Sequence, residues 1–275
     1  MGESVKKNSY SIGQDIISLI SKRYKTITKA INTNFWNNGS DSAHSLYVGS
    51  YGRGTAVNTS DLDVLVELPN DEYDHFASYN GNGPSRLLQA VKEAILDTYP
   101  RTNIKANGQV VVISFSDTMK FEILPAFKSL NCFSEWDGTY LYPDSHMGGN
   151  WMTTNPKAEQ KEMSLKNSYN ESNGLLFDTC KHIRYIRSKY YSSYHLSGIL
   201  IDSFVYRSIG AWHWLRNNEK KADRSNVESY EQALLNSYNS YIFFPVSLCA
   251  PGSEMLVTAE QDWDVLGKVL KKMAG

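Results

Sequence analysis

Residues 61–68 read DLDVLVEL, an alternation of period two that a β-strand converts into two opposite faces. Leu62, Val64 and Val66 fall on one face, Asp61 and Asp63 on the other. Two carboxylates one pleat apart repel each other, and leaving them unpaired in a half-buried strand is costly. A divalent cation between them removes that cost, and their hard oxygens suit Mg²⁺. Such a strand calls for a sheet with one face against a core and the other given over to ion chemistry.

The stretch just before it, VGSYGRGTAVNTS (48–60), is rich in Gly. A short strand is expected around Leu46–Val48, ended by Gly49-Ser50. Gly52 and Gly54 let the backbone approach a ligand with no Cβ in the way. A helix starting near Ser50 would offer free N–H groups and the Ser50 hydroxyl to the β- and γ-phosphates of a nucleotide. Arg53 is expected either to add charge there or to pair with one of the carboxylates. The sequence contains neither a Walker A pattern nor a Rossmann fingerprint.

A third carboxylate comes from an expected antiparallel hairpin, VVVISF (110–115) and KFEILPAF (120–127) around the turn SDT. Phe121 and Ile123 face the core, so Glu122 stands on the opposite face. If that strand neighbours residues 62–68, then Asp61, Asp63 and Glu122, with nucleotide phosphates, can hold two Mg²⁺ ions; Mn²⁺ is the alternative ion. One ion would activate an attacking hydroxyl and the other would neutralise a leaving pyrophosphate.

The remainder of the chain frames this site. Ile12, Ile16, Leu19, Ile20, Ile27, Ile31 and Phe35 make one apolar stripe on a long helix over 10–36, and 84–98 also reads as helix. Residues 131–155, polar and rich in Gly, read as a crossing between lobes, and Asn155-Pro156 suits a helix start. Beyond lie a helix with a basic side over 174–190 and an apolar one over 197–217. The last helix is expected to open on a Thr258/Gln261 capping box, with Trp263, Leu266, Val269, Leu270 and Met273 as its docking face. The fold class is therefore α+β, with a core lobe over 1–155 and a helical lobe over 156–275. His182, His195 and His213 read as structural or surface residues, and Trp212 and Trp214 as packing on a helix.

A net charge of −1 offers no global basic field for long nucleic acid or an anionic membrane, so any nucleic-acid ligand is expected to be small or held locally. Three widely spaced cysteines fit a reduced, cytoplasmic protein, and neither a signal peptide nor an apolar run of the ~20 residues that span a bilayer is found.

At the residues quoted, the sequence resembles the DNA polymerase β-like nucleotidyltransferase superfamily, and GSYGRGTAVNTSDLDVLVEL looks most like its CD-NTase family, the bacterial relatives of cGAS that carry a SMODS domain. FEILPAF resembles the segment bearing that family's third metal ligand, which falls on Glu122 where Asp is commoner, and GNWMTTNP (149–156) resembles a later motif. The matching features run to about residue 205. The resemblance implies a mixed sheet flanked by helices, with NTPs bound in a cleft between the lobes. The helices TCKHIRYIRSKYY and HLSGILIDSFVY resemble the pair that serves the triphosphate, which carries a basic role to Lys181, with Arg184 as its rival, and a second role to Ser197. It implies synthesis of a cyclic di- or trinucleotide messenger for an effector protein in anti-phage (CBASS) defence, with a regulatory partner protein allowed. The competing readings are nucleotidyl transfer to an antibiotic, protein or RNA end, and an inactive nucleotide-binding module.

Overall fold

The computed structural model describes residues 2–57, 61–217, 219, 229–243, 247–258 and 260–275. The chain divides into two compact units, one of residues 12–52 and 58–156, the other of residues 1–11, 53–57 and 157–275. The expected division near residue 155 thus comes with two transfers that the sequence did not announce. The first eleven residues, and five residues directly after the Gly-rich turn, group with the helical unit.

The first unit contains α1 (Gln14–Phe35), β1 (Ser45–Tyr47), α2 (Gly49–Gly52), β2 (Asp61–Glu67), α3 (Asn70–Ala77), α4 (Gly83–Leu96), β3 (Asn103–Asn107), β4 (Val110–Ser114), β5 (Lys120–Leu130), β6 (Trp136–Asp144) and β7 (Asn150–Thr154). Its strands run in the order β1-β2-β5-β4-β3, with β6 on β5 and β7 on β6. Among the described residues only β2 and β5 pair in parallel, so the sheet is mixed. Two helices cover one face because their apolar residues recur at helical spacing. Ile20, Ile27 and Ile31 of α1 and Leu87, Leu88, Val91 and Ile95 of α4 share one core with Leu62, Val64 and Val66 of β2 and Phe121, Ile123 and Phe127 of β5. Asn82 starts α4 by accepting from Ser85 N–H at 2.8 Å, and Pro84 sits where a missing N–H costs nothing.

Residues 131–155 are not a linker but the β6–β7 hairpin. Tyr140, Leu65, Val48 and Ala126 form a second, smaller core on the other face of the sheet, with Trp136 and Tyr142 packed against it.

The helical unit comprises most of α5 (Pro156–Asn167), then α6 (Leu175–Tyr190), α7 (Gly198–Ser208), α8 (Tyr230–Phe243) and α9 (Glu260–Ala274). Leu176, Ile183, Phe204, Val205, Leu234, Leu266, Val269 and Leu270 fill its core. The apolar helix expected over 197–217 stops at Ser208, and Gly210 follows in the left-handed region at φ 53°. Trp212 and Trp214 therefore lie outside any helix, although both pack on the same core; Trp214 Nε1 donates to Asp178 at 2.8 Å. The Gln261 half of the expected capping box lies outside the described side chains, while Leu266, Val269, Leu270 and Met273 dock as expected.

The N-terminal arm is tied down within this unit. Val5 N–H donates to Glu231 Oε1 at 2.9 Å, and Asn8 N–H donates to Asp178 Oδ1 at 3.1 Å. Buried His182 bridges Tyr10 Oη at 2.7 Å and the Glu3 carbonyl at 2.8 Å, and burial lowers its pKa, which favours the neutral ring. His195 meets Asp262 at 2.9 Å and His213 meets Glu219 at 3.2 Å, so all three histidines have structural partners.

Candidate active site

The parallel pairing of β2 with β5 sets Asp63 opposite Glu122 and Asp61 opposite Lys120. The condition on which a third carboxylate depended is thereby met: Glu122 stands beside Asp63 on one face. On the other face Leu62 and Phe121 pair in the same register, both fully buried. Burial of the apolar face is thus what aims the carboxylates, since a slip of one residue would turn both sets over. Glu122 is half-buried, and its pKa is raised first by that burial and then by the negative charges of Asp63 and Asp61; Lys120 opposes the shift. Lys120 Nζ lies 3.9 Å from Asp61 Oδ1 at the exposed start of the strand.

The Gly-rich turn is pressed against the same carboxylates. Gly49 opens α2 with φ 58°, and a Cβ added there would sit 1.8 Å from Asp63 Oδ2. Val48 N–H donates to the Asp63 carbonyl and Gly52 N–H to the Val48 carbonyl, both at 2.9 Å, so the turn is fastened to β2. Gly49→Ala is therefore expected to act on chemistry more than on stability. Left-handed strain of about 1–2 kcal/mol should lower the melting temperature by a few degrees. Displacing the Asp63 carboxylate by about 1 Å should cost on the order of 10²-fold in turnover. Melting curves and pyrophosphate release, measured side by side, check both halves.

Gly49, Asp63 and Glu122 line a pocket of about 260 Å³ together with Gln109, Tyr142 and Thr154. Tyr142 and Thr154 come from the β6–β7 hairpin, expected from the sequence as a crossing between lobes, although Thr154 lies in the GNWMTTNP stretch that resembles a family motif. The signal that would have found them is the alternation of Trp136, Tyr140 and Tyr142 on one strand face. Gln109, from the β3–β4 turn, donates to Asp144 Oδ2 at 3.3 Å.

Among the described residues, no three Asp, Glu, His or Cys side chains converge closely enough to hold an ion by themselves. Asp63, Glu122 and Asp61 nevertheless form an all-oxygen donor set crowded with negative charge, as the raised pKa of Glu122 records. That chemistry fits Mg²⁺, which binds through a few carboxylates plus substrate phosphates rather than in an all-protein cage.

In the helical unit the expected residues separate. Arg53, only 7% exposed, donates from Nε to Asp202 and from Nη1 to Glu159, each at 2.9 Å, so the carboxylates it pairs with are not those of β2. Arg184 grips Asp202 with both terminal nitrogens, at 2.7 and 2.9 Å, and also donates to the Gly198 carbonyl. Both guanidinium groups are thus engaged with carboxylates of the helical unit; for Arg53 the expectation was charge at the phosphates or a pairing with a β2 carboxylate, and for Arg184 the basic role as rival to Lys181. The reason is Asp202, wholly buried on α7 and overlooked in a helix that reads as apolar. Lys181, half-buried on α6, makes no ion pair among the described residues. Ser197 precedes α7, and its N–H donates to Asp262 at 2.7 Å.

A mixed sheet bearing Asp-x-Asp on one strand, a third acid on its parallel neighbour and a Gly-Ser turn against the first defines the polymerase-β-like nucleotidyltransferase core. Residues 4–167 match the model of the SMODS family, the Second Messenger Oligonucleotide or Dinucleotide Synthetase domain, and the chain belongs to that family of nucleotidyltransferases. Among curated protein sequences none matches. Solved structures share the fold at low identity. The CdnE cyclic dinucleotide synthase of Elizabethkingia meningoseptica, solved with GTP and Apcpp, is 13% identical with a TM-score of 0.62, covering 95% of this chain and 97% of its own. The Bradyrhizobium diazoefficiens CD-NTase CdnG in complex with GTP is 12% identical with a TM-score of 0.63, covering 96% and 86%. The CdnC:HORMA-deltaN complex of E. coli MS115-1 is 11% identical with a TM-score of 0.57, covering 94% and 84%. No helix among the described residues is long and apolar enough to cross a membrane.

Proposed function

We propose that the protein joins nucleoside triphosphates into a cyclic di- or trinucleotide messenger, releasing pyrophosphate at each bond. The observation that carries this reading is the register of β2 with β5, which puts Glu122 beside Asp63 under a turn that only Gly49 fits. Asp61, Asp63 and Glu122 are the residues that would hold Mg²⁺, with Mn²⁺ as a substitute. Bound there, the ions supply a lowered pKa for the attacking ribose hydroxyl and charge neutralisation for the leaving pyrophosphate.

The protein's own groups do the positioning. Backbone N–H groups at Gly49 and Ser50, with the Ser50 hydroxyl, orient the β- and γ-phosphates. Lys181 supplies counter-charge to the triphosphate, and Ser197 a hydroxyl donor. The β6–β7 hairpin, through Tyr142 and Thr154, walls one side of the carboxylates. A net charge of −1 supports a short nucleotide product over a long nucleic-acid template. The setting that fits is cytoplasmic anti-phage (CBASS) signalling to an effector, with a regulatory partner allowed, as the HORMA complex of the E. coli relative illustrates.

Incubation of the purified protein with all four NTPs and Mg²⁺, followed by phosphatase and mass spectrometry, tests the reading. The expected result is a phosphatase-resistant cyclic species that names its own bases. Pyrophosphate release with only linear or transferred nucleotide would replace it with transfer to another acceptor, an antibiotic, a protein or an RNA end. No turnover, alone or with candidate partner proteins, would leave a binding module.

A further inference from the structure

A cluster of charged side chains lies buried in the helical unit, apart from the carboxylates of the sheet. Arg53, Glu159 and Asp202 are 7%, 8% and 0% exposed, and the Arg184 side chain is 11% exposed. Two cations face two anions, so the formal charges cancel. Asp202 Oδ2 accepts from Arg53 Nε at 2.9 Å, from Arg184 at 2.9 Å and from the Thr55 hydroxyl at 3.0 Å, while Oδ1 accepts from Arg184 at 2.7 Å. Glu159 takes Arg53 Nη1 on one oxygen, and the Ser253 hydroxyl at 3.2 Å on the other.

Stability does not account for such a cluster. Taking four ions out of water costs several kcal/mol each, and well-packed apolar side chains of similar volume usually serve folding as well or better. What the cluster does achieve is placement. Arg53 follows α2 directly, and the five residues from 53 to 57 are fixed to the helical unit. Thr55 is fully buried, Ala56 is buried, and Gly54, at φ 76°, lies so close to Phe177 that a Cβ would sit 2.6 Å from the ring. The turn Gly49–Gly52 is held to β2 at its start, and Arg53, the next residue in the chain, is held within the helical unit. At its start, Val48 and Gly49 abut Asp63; at its end, Arg53 is clamped between two carboxylates.

We propose that Arg53 is a positioning residue for nucleotidyl transfer: by bridging Asp202 and Glu159 it fixes the end of the turn whose Gly49 and Ser50 receive the triphosphate. The inference rests on the proposed reading of that turn. Arginine is required because a planar fork reaches two carboxylates in set directions, whereas a lysine ammonium offers one compact charge. The role is indirect, since the guanidinium is occupied by protein carboxylates; its effect passes through the backbone of the turn.

The test uses the full chain and Arg53→Lys, which keeps the charge and loses the fork. Binding of a non-hydrolysable NTP analogue with Mg²⁺ is measured by calorimetry, and KM and kcat are measured with NTPs. The analogue Kd and the KM should each rise by about tenfold, with kcat within about threefold, because misplaced phosphate donors weaken binding before they alter the reacting groups. In a Ser50→Ala background the same change should add less than about half of its single effect on binding, because both act through one turn. A folded Arg53→Lys protein with wild-type Kd and KM, or full additivity with Ser50→Ala, overturns the proposal while leaving the function reading intact. Wild-type protein that binds no triphosphate overturns that reading, and this proposal with it. Should Arg53→Lys fail to fold, Thr55→Val, which removes one donor to Asp202, must raise KM by about two- to threefold, and an unchanged KM in that variant is equally fatal.

Discussion

Asp63→Asn should lower nucleotidyl transfer by about 10³-fold or more, since ion-bound charge stabilisation is worth several kcal/mol and each 1.36 kcal/mol is a factor of ten in rate. The substitution is nearly isosteric, and the features that place residue 63 remain: its carbonyl still accepts from Val48 N–H, and its neighbours Leu62 and Val64 stay in the core. The substitution removes the charge facing Glu122 and turns one carboxylate acceptor into an amide donor. Pyrophosphate release and product mass, read beside a thermal melt, separate chemistry from folding. A well-folded variant retaining more than about a tenth of wild-type turnover would falsify the assignment of Asp63 as an ion ligand. Asp61→Ala combined with Asp63→Ala should give no product at all.

Glu122→Gln should move activity and stability in opposite directions. Burial first, and then the charges of Asp63 and Asp61, raise the Glu122 pKa in the folded protein. A raised carboxyl pKa contributes stability that is fully present below the unfolded value, about 4.3, and is lost as pH rises through the folded value. At pH 7–8 without divalent ions the ionised Glu122 therefore opposes folding, and glutamine removes that opposition. The EDTA-treated variant should melt above the wild type at pH 8, and the gap should close as pH falls towards 4.5. Adding Mg²⁺ together with a non-hydrolysable NTP analogue should raise the melting temperature of the wild type more than that of the variant, while turnover falls by about 10²-fold or more with one ion ligand lost. A variant that melts below the wild type in EDTA at pH 8 contradicts the electrostatic account. One that gains as much stability as the wild type from Mg²⁺ and the analogue contradicts the ligand assignment.

What the sequence disclosed, and what it hid, follows from the range of the interactions involved. The alternation of DLDVLVEL and the place of Glu122 between Phe121 and Ile123 are local facts, and they placed the acids on the chemical face before any pairing was known. The parallel register of Asp63 with Glu122 is non-local, and could only be stated as a condition. The β6–β7 hairpin was missed because Asp137, Gly138, Pro143 and Gly149 read as loop punctuation, although the aromatic alternation beneath them was present. The partners of Arg53 were hidden for a different reason. Its partner Asp202 lies 149 positions away, in a stretch so apolar that one acid within it reads as incidental. A buried acid on an apolar helix asks for a cation, and the basic candidates in the motif were the place to look.

The arm that ties Val5 to Glu231, 226 positions along the chain, also bears on how the molecule is made. Synthesis proceeds at about 5–20 residues per second, so Val5 leaves the ribosome roughly 10–45 s before the residue that receives its N–H. The arm meets its partners in turn, Asp178 and His182 before Glu231, and Arg53 likewise meets Glu159 before Asp202. The sheet can assemble early from its own strands, whereas the two upstream pieces that group with the helical unit are made first and wait for its helices. The arm at Val5 is thus secured only once the segment carrying Glu231 has been made.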